Sequence, residues 1–153
     1  MTNNNVDNFF EHPAGLSTDN ELVLNGSVRS SEIVQQVTNT VTLAEINAGK
    51  TIVAGVAGRT IQPKNFVAVV NGTFLTGTSV ELEDTNGSPV GVFSTAAAGL
   101  TDAAVIVPGE ANTTLNAGFL GNLTAGEGLA VTATGSAFTG GTDITISVQY
   151  TLI

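Results

Sequence analysis

The sequence predicts an all-β protein: a jelly roll or β-sandwich of about eight to ten short antiparallel strands, preceded by an extended N-terminal arm. The clearest pattern lies near the C-terminus, where apolar residues from Ile144 to Leu152 alternate with threonine, serine and glutamine. A period of two is typical of a strand with one buried face and one solvated face. Turn signals such as Asn86-Gly87 and Pro108-Gly109 separate other short apolar segments, and no segment shows a convincing helical pattern.

Composition limits the possible functions. The chain has 153 residues, 11% of them charged, a net charge of −9 and no cysteine. This length predicts one domain with an adequate core, and the missing cysteines exclude thiol chemistry. The negative charge opposes binding to nucleic acid or to an anionic membrane surface. There is no apolar segment of membrane-spanning length and no recognisable signal peptide, so we expect a protein that is made and used without secretion.

Residues 1 to 35 differ from the rest and are predicted to form the arm, with the sandwich covering residues 36 to 153. The arm is rich in Asn, Asp, Ser, Pro and Gly, which favour turns or disorder. Its apolar residues are Val6, Phe9, Phe10, Leu16, Leu22, Val23 and Leu24. Two interpretations remain open: these residues fold back onto the core, or the arm orders on a partner.

In the first half of the domain, β-branched residues predict a strand from about Gln36 to Ile46. A turn with Gly49 at positive φ leads to a short strand, Thr51 to Ala54, and then to the loop Gly55 to Arg59. Thr60 to Val70 is predicted as strand with a bulge or an edge at Pro63. Its part from Phe66 onward is apolar on both faces, as expected of a strand that is covered on two sides.

Asn71-Gly72 and Asn86-Gly87 predict two hairpins, with strands at Phe74-Leu75, at Val80 to Leu82 and at Val90 to Phe93. Thr95 to Asp102 is predicted to be a loop. The later strands are expected at Val105 to Val107, Thr113 to Leu120, Gly128 to Phe138 and Thr142 to Ile153. The last two are predicted to be adjacent strands that end the sandwich, joined by Gly135 to Gly141.

Few residues offer chemistry. The single histidine, His12, lies in the arm without a nearby nucleophile motif, so a catalytic triad or a zinc site is not expected. Glu81, Glu83, Asp84 and Asn86 cluster near a turn, but their spacing does not fit a calcium loop. The alternation of Glu81 and Glu83 with Val80 and Leu82 indicates the solvated face of a strand. We therefore expect no enzyme activity, no cofactor and no metal.

Four segments resemble a known family. They are G-x-x-L-A-V-T-A at Gly126 to Ala133, G-G-T-D-I-T-I-S-V-Q-Y at Gly140 to Tyr150, G-K-T-I-V-A at Gly49 to Ala54 and S-V-E-L-E-D-T-N-G at Ser79 to Gly87. This style of strand and glycine turn resembles the trimeric, TNF-like jelly rolls of tailed-phage virions, particularly capsid decoration (cement) proteins and head fibres. The resemblance covers roughly residues 36 to 153.

The resemblance implies a homotrimer on the outer surface of a phage capsid, made in the host cytoplasm and bound to the major capsid protein so that it bridges capsomers. An apolar content of 42% would then be covered partly by subunit contacts. Candidate interface residues are Phe74, Phe119, Phe138 and Tyr150, although each of them equally fits the core of a single chain. The apolar residues of the arm are the candidates for contact with the capsid or with a neighbouring subunit.

A second hypothesis is a receptor- or glycan-binding tip domain of a phage head or tail fibre, which would use the loops Gly55 to Arg59 and Ala96 to Asp102. Such proteins usually carry a trimeric shaft, and the sequence has neither heptads nor repeats to build one. A small enzyme and a major capsid protein fit the sequence less well than either hypothesis.

Overall fold

The computed structural model describes residues 33–153. This part of the chain forms strands, one short α-helix and two 3₁₀ turns. In chain order the elements are β1 (Gln35–Thr42), α1 (Leu43–Ala48), β2 (Lys50–Val53), β3 (Ile61–Asn71), β4 (Phe74–Leu75), β5 (Ser79–Asp84), β6 (Gly91–Ala96), a 3₁₀ turn (Ala97–Gly99), β7 (Val105–Ile106), β8 (Thr113–Leu115), a 3₁₀ turn (Ala117–Leu120), β9 (Leu129–Thr134), β10 (Thr139–Gly140) and β11 (Asp143–Leu152).

Two antiparallel sheets form a sandwich, which confirms the predicted fold class. Sheet A has the strand order β1-β11-β3-β7, sheet B has the order β2-β9-β5-β6-β8, and β4 pairs with β10 in a separate ribbon. The alternating burial along β5 and β11 shows that one face of each sheet points inward. Side chains from both sheets, among them Phe66, Leu82, Leu129 and Val148, fill a single core between them.

The two C-terminal strands were predicted to be adjacent, and this prediction is wrong. β9 pairs with β2 and β5 in sheet B, whereas β11 lies between β1 and β3 in sheet A. The segment from Gly135 to Gly141 therefore leads from one sheet to the other and contributes β10 on the way. Alternation fixes which side chains are buried but not which strands pair, and each of these strands has two other neighbours.

The strand predicted to reach Ile46 ends at Thr42, where α1 begins. The Thr42 hydroxyl accepts a hydrogen bond from the Glu45 amide, and the Glu45 carboxylate accepts one from the Thr42 amide. This capping box starts a helix despite the preceding β-branched residues. Lys50 donates to the Glu45 carboxylate, as do the amide and hydroxyl of Thr42, and together they lower the pKa of Glu45 to about 2. Gly49 has the predicted positive φ, at 82°, but it ends this helix and does not follow a strand as predicted.

A bulge or an edge was predicted at Pro63, and the structure has a bulge there. Gln149 of β11 is opposite Asn65, but Tyr150 is opposite Pro63, so Lys64 is the extra residue on β3. The hairpin predicted at Asn71-Gly72 is wrong, because β4 pairs with β10 and not with β3. Gly72, at φ 77°, still makes the turn that leads the chain out of sheet A.

In sheet B the hairpin predicted at Asn86-Gly87 is confirmed, since β5 pairs with β6. The strand predicted from Thr113 to Leu120 is too long: it ends at Leu115, and Ala117–Leu120 forms a 3₁₀ turn. This turn places Phe119 edge-on against Phe66, with the ring centroids 6.0 Å apart. The apolar alternation of Leu115, Ala117 and Phe119 had predicted a strand and gave no sign of this contact.

Candidate interaction surface

The outer face of sheet A lacks charge along most of its length. Apart from Lys64 at the β3 bulge and Asp143 at the start of β11, the side chains on this face are amides, hydroxyls and valines. We call this set the uncharged face; it consists of Gln36, Thr38, Thr40, Asn65, Val67, Val69, Val105, Thr145, Ser147 and Gln149.

The valines form a small apolar patch at one side of this face. Val67 and Val69 on β3 are 37% and 43% exposed, and Val105 on β7 is 53% exposed. Val69 pairs directly with Val105 across the two strands. The apolar segment from Phe66 to Val70 was predicted to be covered on both sides. In the single chain Phe66, Ala68 and Val70 are buried, but Val67 and Val69 are only partly covered by the described residues.

Six of the seven polar residues of the face hydrogen-bond to one another in pairs. The hydroxyls of Thr38 and Ser147 are 2.6 Å apart, and those of Thr40 and Thr145 are 2.9 Å apart. The side-chain amide of Gln149 donates to the side-chain oxygen of Gln36 at 3.1 Å. Because each of these groups already has a protein partner, covering them costs less than burying unpaired polar groups.

Charges border this face and lie on the opposite sheet. Lys64, the bulge residue next to Asn65, is exposed and donates a hydrogen bond to the Gln62 side chain at 2.6 Å. Asp143, at the start of β11, accepts a hydrogen bond from the Asn71 amide at 3.2 Å. On the outer face of sheet B, Glu81 and Glu83 are partly exposed in mid-strand. Glu83 accepts a hydrogen bond from the Thr132 hydroxyl at 2.8 Å. The two outer faces of the sandwich therefore differ in charge. Removing water from the outer face of sheet A costs less free energy, because fewer charges lose their hydration.

The structure places the four predicted interface aromatics inside or against the core. Phe74 and Phe138 are each 2% exposed, and their rings meet edge to face with centroids 5.7 Å apart. Neither residue presents surface to another subunit in this chain. Phe119 and Tyr150 are partly buried against the core, and burial raises the pKa of Tyr150. The seven apolar arm residues and His12 lie outside the described residues.

The acidic cluster at the β5–β6 hairpin does not act as one group. Asp84 is 2% exposed, and its carboxylate accepts hydrogen bonds from the amides of Val90 and Thr124 at 2.9 Å each and from Asn86 at 3.3 Å. Burial raises the pKa of Asp84, but these amide hydrogen bonds outweigh burial, so its pKa lies below the ordinary value of 3.8. Asp84 therefore holds together the β5–β6 turn and the segment before β9.

Within residues 33–153, no three His, Cys, Asp or Glu side chains come close enough together to hold a metal ion. None of the described helices has the length and apolar character needed to cross a membrane. No protein-family model matches the chain, and neither a curated protein nor a solved structure with significant similarity was found.

The valines of the uncharged face are functional candidates that sequence patterns did not single out. Val67 and Val69 lie within an apolar segment that also supplies core residues, so the sequence alone does not show which of them lack cover. The sequence feature that points to these valines is that residues on both faces of the segment are apolar. β7 has only two residues, which is too short for a pattern that would add Val105 to the patch.

Proposed function

We propose that this chain is a non-enzymatic structural protein of a phage virion, which binds the outside of the capsid as a homotrimer and cements adjacent capsomers. The single observation that carries the proposal is the uncharged face of sheet A with its exposed valines. In a protein of net charge −9, a face without charge is the part that like copies can bring together without electrostatic repulsion.

The proposed trimer contact uses the valine patch and its hydrogen-bonded surroundings. Val67, Val69 and Val105 supply apolar area, and the paired hydroxyls of Thr40 and Thr145 extend the contact without unpaired polar groups. The aromatics first considered for this role are largely used by the core of the single chain. The valine patch therefore replaces them as the proposed centre of the interface.

The proposed contact with the capsid belongs to the N-terminal arm. Three arms on one trimer bind to neighbouring capsid subunits, and once one arm is bound, the others bind at high effective concentration. A protein that binds only the assembled shell stabilises that shell by mass action, because disassembly requires the cement to dissociate first. No chemical reaction is needed for this function.

The oligomeric state tests the first part of the proposal. Sedimentation equilibrium of the purified protein should give the mass of a trimer or of a multiple of trimers. Val69→Lys places a charge in the middle of the patch and should convert trimers into smaller species while the circular dichroism spectrum is unchanged. Thr51→Lys, which alters an exposed residue of sheet B, is the matched control and should leave the mass as it was. A wild-type protein that is monomeric at high concentration would refute the trimer.

Binding to heads tests the second part. Capsids assembled without this protein are mixed with the purified chain, and occupancy is measured by electron microscopy together with retention of DNA on heating. We expect saturable binding and a higher temperature of DNA release. A variant lacking residues 1–25 should form the trimer and fail to bind. Equal binding by this variant would rule out the arm as the anchor, and binding to host cells but not to capsids would favour the receptor- or glycan-binding tip domain.

A further inference from the structure

Strand β1 forms the longest edge of the sandwich. Among residues 33–153, it occupies the end position of sheet A and pairs on one side only, with β11, over eight consecutive residue pairs. The other edge strands among the described residues are shorter: β7 has two residues, β8 has three and β2 has four. An edge of this length offers a row of backbone donors and acceptors to another strand.

β1 also lacks the features that usually protect an edge. Its residues, Gln35 to Thr42, include no charged side chain and no proline. Its register with β11 is unbroken, whereas β3 carries the Lys64 bulge and the pairing of β2 with β9 shifts between Thr51 and Val53. Natural proteins block exposed edges with lysine, proline or bulges, and β1 has none of these.

The sequence of β1 is symmetric about Asn39. The five residues from Val37 to Val41 are Val-Thr-Asn-Thr-Val, which is the same in either direction. In an antiparallel pair of two such strands centred on Asn39, Val37 lies opposite Val41 of the second copy, and Thr38 lies opposite Thr40. Directly opposite residues in an antiparallel pair share a face, so the valines meet on the buried side and the exposed threonines on the solvated side.

We propose that β1 pairs with β1 of a second copy of this chain, antiparallel and about a twofold axis through Asn39. The pairing joins the two copies of sheet A into one continuous sheet. No like charges meet along the shared edge, because the strand is uncharged. The contact uses the edge of sheet A and leaves the uncharged face free, so it goes beyond the proposed trimer and would link one trimer to the next.

Cross-linking tests the register, because the chain has no cysteine of its own. Thr38→Cys and Thr40→Cys proteins are mixed in equal amounts and oxidised. Opposite residues have Cα atoms about 5 Å apart, within the range of a disulfide, whereas diagonal neighbours are about 7–8 Å apart. We expect the mixture to give several-fold more disulfide-linked dimer than either variant alone. A mixture of Gln36→Cys and Thr38→Cys, which do not face each other in this register, is the control.

Charge exchange tests the same contact in solution. The double variant T38K/T40K places lysine opposite lysine twice across the axis and should abolish the pairing. The variant T38K/T40E places lysine opposite glutamate in both positions and should restore it. Both variants lose the hydroxyl contacts with Ser147 and Thr145, so their comparison isolates the effect of charge. Because Thr38 and Thr40 also belong to the uncharged face, both variants are made in the Val69→Lys protein, in which the proposed trimer contact is already broken. The readout is the mass in sedimentation equilibrium, compared with the mass of Val69→Lys alone.

Two results would overturn the proposal. One is equal cross-linking in the test and control mixtures; the other is the same mass for T38K/T40K and for T38K/T40E. If the amides of β1 are protected from hydrogen exchange although no cross-link forms, residues 1–32 of the same chain cover the edge, and the twofold pairing is refuted. None of these results bears on capsid binding or on the effect of Val69→Lys, so the proposed function stands or falls separately.

Discussion

Asn47 and Phe138 are joined by a pair of reciprocal hydrogen bonds. The Asn47 side-chain amide donates to the Phe138 carbonyl oxygen at 3.0 Å, and the Phe138 amide donates to the Asn47 side-chain oxygen at 2.8 Å. One side chain thus satisfies both backbone groups of a residue far along the chain. The contact ties the end of α1 to the segment that leads from sheet B to sheet A, where Phe138 is buried.

Replacing Asn47 with alanine should therefore destabilise the protein. Both backbone groups of Phe138 lose their partner, and a cost of about 1–3 kcal/mol is expected when a buried polar group is left unpaired. The measurement is the free energy of unfolding from urea titration. Asn122→Ala, at an exposed position, is the control and should stay within about 0.5 kcal/mol of the unaltered protein. Equal effects of the two variants would contradict this role for Asn47.

A methyl group at Gly77 should destabilise the core beneath it. A Cβ atom there would lie 2.5 Å from the Phe138 ring, and that ring is fixed against Phe74. Overpacking of this kind costs about 1–3 kcal/mol. Gly87→Ala is a matched control, since a Cβ there has no neighbour within 4 Å. Thermal unfolding should show a lower Tm for Gly77→Ala and an unchanged or higher Tm for Gly87→Ala. A Tm for Gly77→Ala that matches the control would show that the ring moves aside.

Asp84 should make the protein sensitive to acid. Its pKa is lower in the folded protein than the ordinary value of 3.8, so the ionised form favours the folded state. The stability it contributes is fully present above this value and is lost as the pH falls below it toward the lowered pKa. In Asp84→Asn, the free energy of unfolding should be lower at pH 7 and should fall less steeply as the pH is lowered from 5 to 2 (about the range over which an aspartate titrates). An unchanged slope would show that Asp84 is not the group responsible.

The capping box should determine the stability of α1. Thr42→Ala removes the side-chain acceptor for the Glu45 amide, and losses at such positions are about 0.5–2 kcal/mol. Thr114→Ala, at an exposed strand position, is the control and should have a smaller effect. Because the pKa of Glu45 is lowered to about 2, its part in the cap should persist through mildly acidic pH and weaken only as the pH falls toward that value. Chemical shifts of α1 as a function of pH measure this directly.

The errors in the predicted elements share a physical cause. The strand expected through Ile46 was predicted from β-branched residues, but the spacing of Thr42 and Glu45 favours a helix start, and that local hydrogen bonding prevailed. The hairpin expected at Asn71-Gly72 has the right turn chemistry, yet Phe74 pairs with Gly140 instead of with β3. Turn residues fix the bend of the backbone, whereas pairing is decided by distant partners.

The sequence by itself determined the β class, a break in regular pairing at Pro63, the β5–β6 hairpin and the faces of β11, because each depends on local dihedral preference or on a period of two. Only the tertiary structure decided that β9 and β11 belong to opposite sheets, that Asp84 is buried under three amides, and that Val67 and Val69 are left exposed. These features depend on contacts between residues far apart in the chain. Side-chain alternation shows which face of a strand is apolar, but it does not show which strand, or which copy of the chain, covers that face.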